Sequence, residues 1–202
     1  PADNIIKVKS HNNKIYAATS SKGIYELEND SFKKTDIIQG TDIYSIKNLD
    51  SKLFISTNLE NILFDGSDIS YMGKGFPNEK IKYVHVKGNE YWFVAKSTLI
   101  RKSGESFNSE QIKFPDKKIE IQTLLIDGKI KYFGTNRGFW LEKENGSLEL
   151  LKKNINVLSL AKISPESILI GSKKGIYQLN KGIIKQYTPA GDNNLALNKT
   201  PV

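Results

Sequence analysis

The segment Lys14-Ile15-Tyr16-Ala17-Ala18-Thr19-Ser20-Ser21-Lys22-Gly23-Ile24-Tyr25-Glu26-Leu27 recurs along the chain. It returns as Lys52-Leu53-Phe54-Ile55-Ser56-Thr57-Asn58-Leu59-Glu60-Asn61-Ile62-Leu63-Phe64, and as Lys131-Tyr132-Phe133-Gly134-Thr135-Asn136-Arg137-Gly138-Phe139-Trp140-Leu141. A further copy is Ile168-Leu169-Ile170-Gly171-Ser172-Lys173-Lys174-Gly175-Ile176-Tyr177-Gln178-Leu179, and a degraded one is Tyr91-Trp92-Phe93-Val94-Ala95-Lys96-Ser97-Thr98-Leu99-Ile100. One marker position runs Thr19, Thr57, Ala95, Thr135, Ser172, in steps of 38, 38, 40 and 37 residues. Self-similarity at a fixed period of this length is the mark of a repeat architecture.

Each copy is preceded by an apolar strand at a fixed offset. Val8, Ile46, Val84 and Leu124 lie seven residues before Ile15, Leu53, Tyr91 and Lys131, and Leu160 lies eight before Ile168. The extra residue falls in the turn-rich stretch Ser164-Pro165-Glu166-Ser167, where an insertion is cheap. Each copy is followed by a short strand: Ser31–Lys34, Asp68–Tyr71, Gln111–Phe114, Ser147–Leu151 and Gly182–Lys185. Asn29-Asp30, Asp65-Gly66, Asn145-Gly146 and Asn180-Lys181-Gly182 come just before most of them, residue types that accept positive φ in hairpin turns.

A period therefore holds four strands: A near Val8, B near Tyr16, C near Ile24 and D near Phe32. Four short strands per roughly 40 residues predict a propeller blade. No stretch shows a 3.6-residue apolar period with caps, so helical solenoids are excluded. The expected fold is all-β, a five-bladed β-propeller of four-stranded antiparallel blades at about 4–35, 36–72, 73–113, 114–152 and 153–188. The blades close on themselves or are completed by a neighbouring chain. Residues 189–202 read as a linker and the start of another domain.

Strand B is apolar at nearly every position, as expected of a strand covered on both faces by neighbouring blades. Strand D alternates, as an outer edge should. Gly23, Asn61, Gly138 and Gly175 occupy one repeat position, which predicts positive φ in the B–C hairpin. The hydroxyls of Thr19, Thr57, Thr135 and Ser172 are placed to satisfy a backbone group in that turn. The third copy lacks both features, so its hairpin differs.

The series Tyr16-Ala17-Ala18-Thr19 then Gly23-Ile24-Tyr25, and Tyr132-Phe133-Gly134-Thr135 then Gly138-Phe139-Trp140, resembles the two-component-regulator propeller repeat over residues 4–188. Where that family carries an early Trp in strand B, this chain has Tyr16, Phe54, Trp92, Tyr132 and Leu169. WD-dipeptide, kelch and Asp-box signatures are absent. Asn194-Leu195-Ala196-Leu197-Asn198-Lys199-Thr200-Pro201 resembles the opening of a discoidin or fucose-binding lectin domain, with Thr200 inserted before Pro201. That resemblance implies a sugar-binding β-sandwich after the propeller, with Pro189-Ala190-Gly191-Asp192 as the linker.

Composition removes several classes. There is no cysteine, which excludes disulfides, thiolate metal sites and thiol nucleophiles. No run of 18 apolar residues exists, so no membrane-spanning helix is expected. The start, Pro1-Ala2-Asp3, has no signal-peptide apolar core, which leaves a removed signal or a cleaved initiator Met. The net charge is +8, but it comes from 28 Lys scattered over all repeats and only two Arg, Arg101 and Arg137. Base readout favours Arg, so no specific nucleic-acid partner is expected. His11 and His85 have no metal-ligand spacing, and no nucleophile elbow or phosphate-cradling loop is present, so neither metal nor cofactor is expected. Asp36, Asp42, Asp116 and Glu120 lie in blade-connecting segments without forming a recognisable acid–base pair.

Trp92 and Trp140 fall on repeat core positions. A binding residue, by contrast, should lack equivalents in the other blades. That filter selects Arg101, Arg137, Tyr71, the loop Ser103–Asn108 with Phe107 and Asn108, and the segment Met72–Pro77. The chain is therefore read as a non-catalytic binding and display module on a cell surface or virion. Its partner is a glycan receptor or a structural protein, as in a phage tail or fibre, and assembly into a homo-oligomer or larger structure is left open. Two alternatives stand beside it: a ligand-sensing ectodomain of a two-component-type receptor, and a carbohydrate-active enzyme.

Overall fold

The computed structural model describes residues 4–38, 40–72, 76–77, 79–104 and 106–187. All regular structure is β. Blade 1 is β1 (Ile5–His11), β2 (Lys14–Thr19), β3 (Ile24–Glu28) and β4 (Ser31–Lys34). Blade 2 is β5 (Ile43–Leu49), β6 (Lys52–Thr57), β7 (Asn61–Phe64) and β8 (Ile69–Tyr71). Blade 3 is β9 (Tyr83–Lys87), β10 (Glu90–Ala95), β11 (Thr98–Ser103) and β12 (Ser106–Gln111). Blade 4 is β13 (Ile121–Asp127), β14 (Ile130–Thr135), β15 (Gly138–Glu142) and β16 (Leu148–Lys153). Blade 5 is β17 (Val157–Ser164), β18 (Ser167–Ser172), β19 (Gly175–Asn180) and β20 (Ile183–Gln186). Each blade is one antiparallel sheet in chain order, so the chain is a five-bladed β-propeller.

The register repeats with the sequence. Val8 faces Ala17, Ile46 faces Ile55, Val84 faces Phe93, Leu124 faces Phe133 and Leu160 faces Ile170. Successive innermost strands pack on one another, β1 on β5, β5 on β9, β9 on β13 and β13 on β17. Strand B supplies the cores: Ile55, Phe93, Phe133 and Ile170 are fully buried. Four apolar cores result, and each is shared by two blades. Tyr16 and Ile24 of blade 1 meet Ile46, Ile55 and Ile62 of blade 2. Phe139 of blade 4 meets Val157, Ile168 and Ile170 of blade 5. A sheet has two faces to cover, and in blades 2, 3 and 4 a neighbouring blade covers each.

The turns follow the sequence reading in most places. Asn29, Asp30, Gly66, Gly146, Lys181 and Gly182 all have positive φ in the C–D hairpins. The strand-B hydroxyls close the B–C turns as expected: Thr19 donates to the Gly23 carbonyl at 2.8 Å, Thr135 to Gly138 at 2.8 Å and Ser172 to Gly175 at 2.8 Å. Each hydroxyl also accepts a turn N–H, from Lys22, Arg137 and Lys174 respectively. In blade 3, Ala95 pairs with Thr98 across a turn in which Lys96 takes φ 50°, so this hairpin does differ.

The shared glycine position needs correcting. In register, Gly23, Gly138 and Gly175 align with Glu60, because the blade 1 turn is one residue longer than the others. The Thr57 hydroxyl closes onto the Glu60 carbonyl at 3.0 Å, and Asn61 sits one place further on, opposite Ser56. Only Gly23 and Gly175 have positive φ, at 86° and 110°. Gly138 is required for another reason: a Cβ there would stand 2.8 Å from the Lys152 carbonyl oxygen.

The ring does not close through a fifth core among the described residues. At the repeat position where Ile46, Val84 and Leu124 are 1–3% exposed, Val8 is 49% exposed. At the position where Ile24, Leu99 and Phe139 are fully buried, Ile176 is 49% exposed. Among the described residues no blade packs before blade 1 or after blade 5 through a core, so these five blades form an open arc. The stretch 189–202 and its lectin-like resemblance lie outside the described residues, as do Gly73–Gly75 and Glu105.

Candidate functional site

Blade 3 carries a polar row on the face it turns to blade 4. The register places His85 opposite Trp92, Trp92 opposite Arg101 and Arg101 opposite Asn108. On blade 4, β14 brings Lys131 opposite Glu142 of β15. Trp92, Arg101, Lys131 and Glu142 line a groove of about 890 Å³ between the two blades, bounded by the hairpins around Gly88, Gly128 and Gly146.

Arg101 is ion-paired with Glu90 and holds its carboxyl below the usual range. The Trp92 indole N–H also favours the Glu90 charge, without reaching hydrogen-bond geometry. Lys131 bridges Glu142 at 2.6 Å and Glu110 of β12 at 2.8 Å. Burial opposes the Lys131 ammonium, but those two hydrogen bonds prevail and raise its pKa. The Trp92 ring has the Arg101 guanidinium 5.4 Å and the Lys131 ammonium 5.8 Å from its centroid, both in cation–π range. Two donors are left over: the Arg101 Nε and the Trp92 Nε1 are buried and have no hydrogen-bond partner among the described residues. Buried donors without partners are uncommon and call for an acceptor.

Comparison along the repeat shows what is special here. The four groove positions are Trp92, Arg101, Lys131 and Glu142 between blades 3 and 4. Between blades 4 and 5 they are Tyr132, Leu141, Ile168 and Leu179, and that groove is about 430 Å³. Between blades 2 and 3 they are Phe54, Leu63, Tyr91 and Lys102. Between blades 1 and 2 they are Tyr16, Glu26, Leu53 and Phe64. Among the described residues, only the seam between blades 3 and 4 has three charged residues beside an aromatic one at these four positions.

The structure treats the sequence candidates unequally. Arg101 lines the groove, and Asn108 is its exposed cross-strand neighbour. Phe107 turns to the other face and stacks edge-on with Phe76, 5.2 Å between centroids, within the core of blades 2 and 3. Phe76 also meets Phe54 and Phe93, so its segment completes that core. Tyr71 ends β8 on the rim of blade 2, 65% exposed. Arg137 sits in the B–C turn of blade 4, at the other end of the strands, paired with Asp116 at 2.7 Å. Tyr71, Phe107 and Arg137 are therefore not brought to the groove. Among the connecting-segment acids, Glu120 is tied to Lys82 and Asp116 to Arg137. Sequence reasoning missed Lys131, Glu142 and Glu90. The signal for Lys131 was present, a lysine in strand B where Leu53, Tyr91 and Ile168 stand in other copies.

Fold and groove together define a β-propeller with one polar seam. No family model and no curated protein matches the sequence. Solved structures do resemble it. The extracellular domain of the putative one-component or hybrid two-component system BT4673 from B. thetaiotaomicron superposes with a TM-score of 0.71 at 17% identity, over 92–95% of this chain and 28% of that one. The propeller domain of Doa1, of WD40 type, gives a TM-score of 0.64 at 11% identity over 92% of this chain and 64% of that chain. YCF48 bound to D1 peptide gives 0.63 at 13% identity over 91% and 66%. The chain thus spans about a quarter of the length of BT4673's extracellular domain. At these identities the likeness is one of fold.

Proposed function

We propose that the chain is a binding segment of an extracellular sensor of the two-component kind, comprising five consecutive blades of a larger propeller. A small polar ligand docks in the groove between blades 3 and 4 and is bound, not transformed. The carrying observation is the set Trp92, Arg101, Lys131 and Glu142 at one seam, where the other seams hold fewer charges or none. The unpaired Arg101 Nε and Trp92 Nε1 ask for a ligand that presents acceptor oxygens, such as a sugar acid or a dicarboxylate. The exposed faces of blades 1 and 5, and the partial coverage of the similar propellers, support the larger ring.

The display reading, with a glycan receptor or a virion partner, would use the same groove. It is less favoured because the Trp92 ring already holds two cations, which reduces the face left for stacking a sugar. Trp92 and Trp140 are the only tryptophans, so intrinsic fluorescence reports on the groove. Sugar acids, dicarboxylates and neutral oligosaccharides titrated against the protein should give a saturable change with an acidic member. Replacing Arg101 with Ala should weaken that binding by about ten- to a hundredfold, the usual loss of a charge-assisted contact. Unchanged binding in Arg101→Ala would remove the groove from consideration.

A further inference from the structure

The innermost strands of the first three blades repeat a basic residue at one position. Lys9 faces Tyr16, Lys47 faces Phe54 and His85 faces Trp92. The 38-residue step carries each to the next. Because β1 packs on β5 and β5 on β9, the three fall in a row around the axis, with Lys7 and Lys87 beside them. At the same position blades 4 and 5 carry Leu125 and Ala161, so the row is confined to three blades. The lysines that looked scattered in the sequence are here gathered.

Elsewhere, inward lysines are countered by acids. Lys131 has Glu110 and Glu142, Lys82 has Glu120, and Lys162 of β17 has Asp127 of β13 at 2.6 Å. No carboxylate pairs with Lys7, Lys9, Lys47 or His85 among the described residues. They act on one another instead. Burial, then Lys9, lowers the Lys47 pKa. Burial, then Lys9 and Lys47, lowers that of Lys7. Burial, then Lys47 and Lys87, lowers that of His85, against a hydrogen bond with the Leu124 backbone. Like charges held side by side on half-buried and exposed positions repel one another unless an anion joins them.

We propose that the row Lys9–Lys47–His85, flanked by Lys7 and Lys87, is an anion site for a ligand carrying two or more carboxylate, phosphate or sulfate groups. Lys87 also borders the groove, but Lys9 and Lys47 do not, so the two sites separate by mutation. The test is calorimetric titration of the protein with pyrophosphate, with citrate and with a sulfated tetrasaccharide, at low and at physiological salt. The three probes distinguish phosphate, carboxylate and acidic-glycan sources. At least one should bind, with affinity falling as salt rises. Lys9→Gln with Lys47→Gln should weaken it about tenfold or more, whereas Lys173→Gln, on an exposed turn, should leave it within about twofold. The double variant should be at least as resistant to urea as the parent, since it removes repulsion, and the bound probe should raise the His85 titration midpoint followed by NMR. Absence of salt-dependent binding, or full binding by the double variant, would overturn the proposal.

Discussion

Ile24 and Ile176 occupy one repeat position in the first and last blades, opposite Ala18 and Gly171. Ile24 is fully buried against blade 2, and Ile176 is 49% exposed. Truncating Ile24 to Ala removes apolar atoms from a closed core and leaves a cavity, which costs about 2–5 kcal/mol. The same truncation at Ile176 forfeits only part of the transfer energy and opens no cavity, so about 1 kcal/mol or less is expected. Urea unfolding of the two variants measures both, with the slope held unchanged as the control. In thermal melts the first should fall by roughly 5–15 °C and the second by about 3 °C or less, from the usual 2–4 °C per kcal/mol at this chain length. Equal losses would mean that Ile176 is covered in solution, and the open arc would be refuted for the protein as it stands.

Replacing Lys131 alone with Ile should cost about 3–5 kcal/mol, because Glu142 is left buried without its partner; the double replacement Lys131→Ile, Glu142→Leu copies Ile168 and Leu179 of the next seam and should recover most of that loss in the same melts while abolishing ligand binding in the groove. Gly134→Ala would place a Cβ 2.5 Å from both Thr123 and Val157, so a loss of about 1–3 kcal/mol is expected, read from the urea midpoint. Tyr91 is pushed up to about 12, by burial first and then by its hydrogen bond to Asp50. The folded value lies above the unfolded one near 10, so this contribution is complete below pH about 10 and lost as pH rises through about 12. Burial raises Tyr16 and Tyr132 as well, so absorbance at the phenolate band should show a late-titrating group of tyrosines that Tyr91→Phe diminishes by one.

Much of the architecture was legible because its signal is periodic. Val8, Ile46, Val84 and Leu124 announce strand A by a constant offset, and Thr19, Thr57, Thr135 and Ser172 announce the turn they later close. The offset failed at Asn61, where a one-residue difference in turn length shifts the register without altering the 38-residue step. The arc's ends were not legible, since Val8 and Ile176 are as apolar as their buried equivalents and only a neighbour distinguishes them. The groove was half legible. Arg101 stood out as a rare residue type, but Lys131 and Glu142 across the groove are common types whose meaning comes from sitting where most other blades carry apolar residues. Phe107 misled because the sequence pattern puts strand D of blade 3 at Gln111–Phe114 and leaves Ser103–Asn108 as a loop. The strand is Ser106–Gln111, and Phe107 faces Lys102 as Phe32 faces Leu27 and Leu148 faces Glu142, so it is a repeat position that packs in a core.

Because every core belongs to two blades, the unit that folding rewards is the seam, half a period out of step with the unit that the sequence copies. A duplicated 38-residue segment brings one half of a seam at each side, and any blade already present can supply the other half. Such a chain lengthens or shortens without inventing new packing. A polar seam such as Trp92 with Arg101, Lys131 and Glu142 then arises by altering a few side chains of one copy, leaving its sister seams to carry the stability that the altered one gives up.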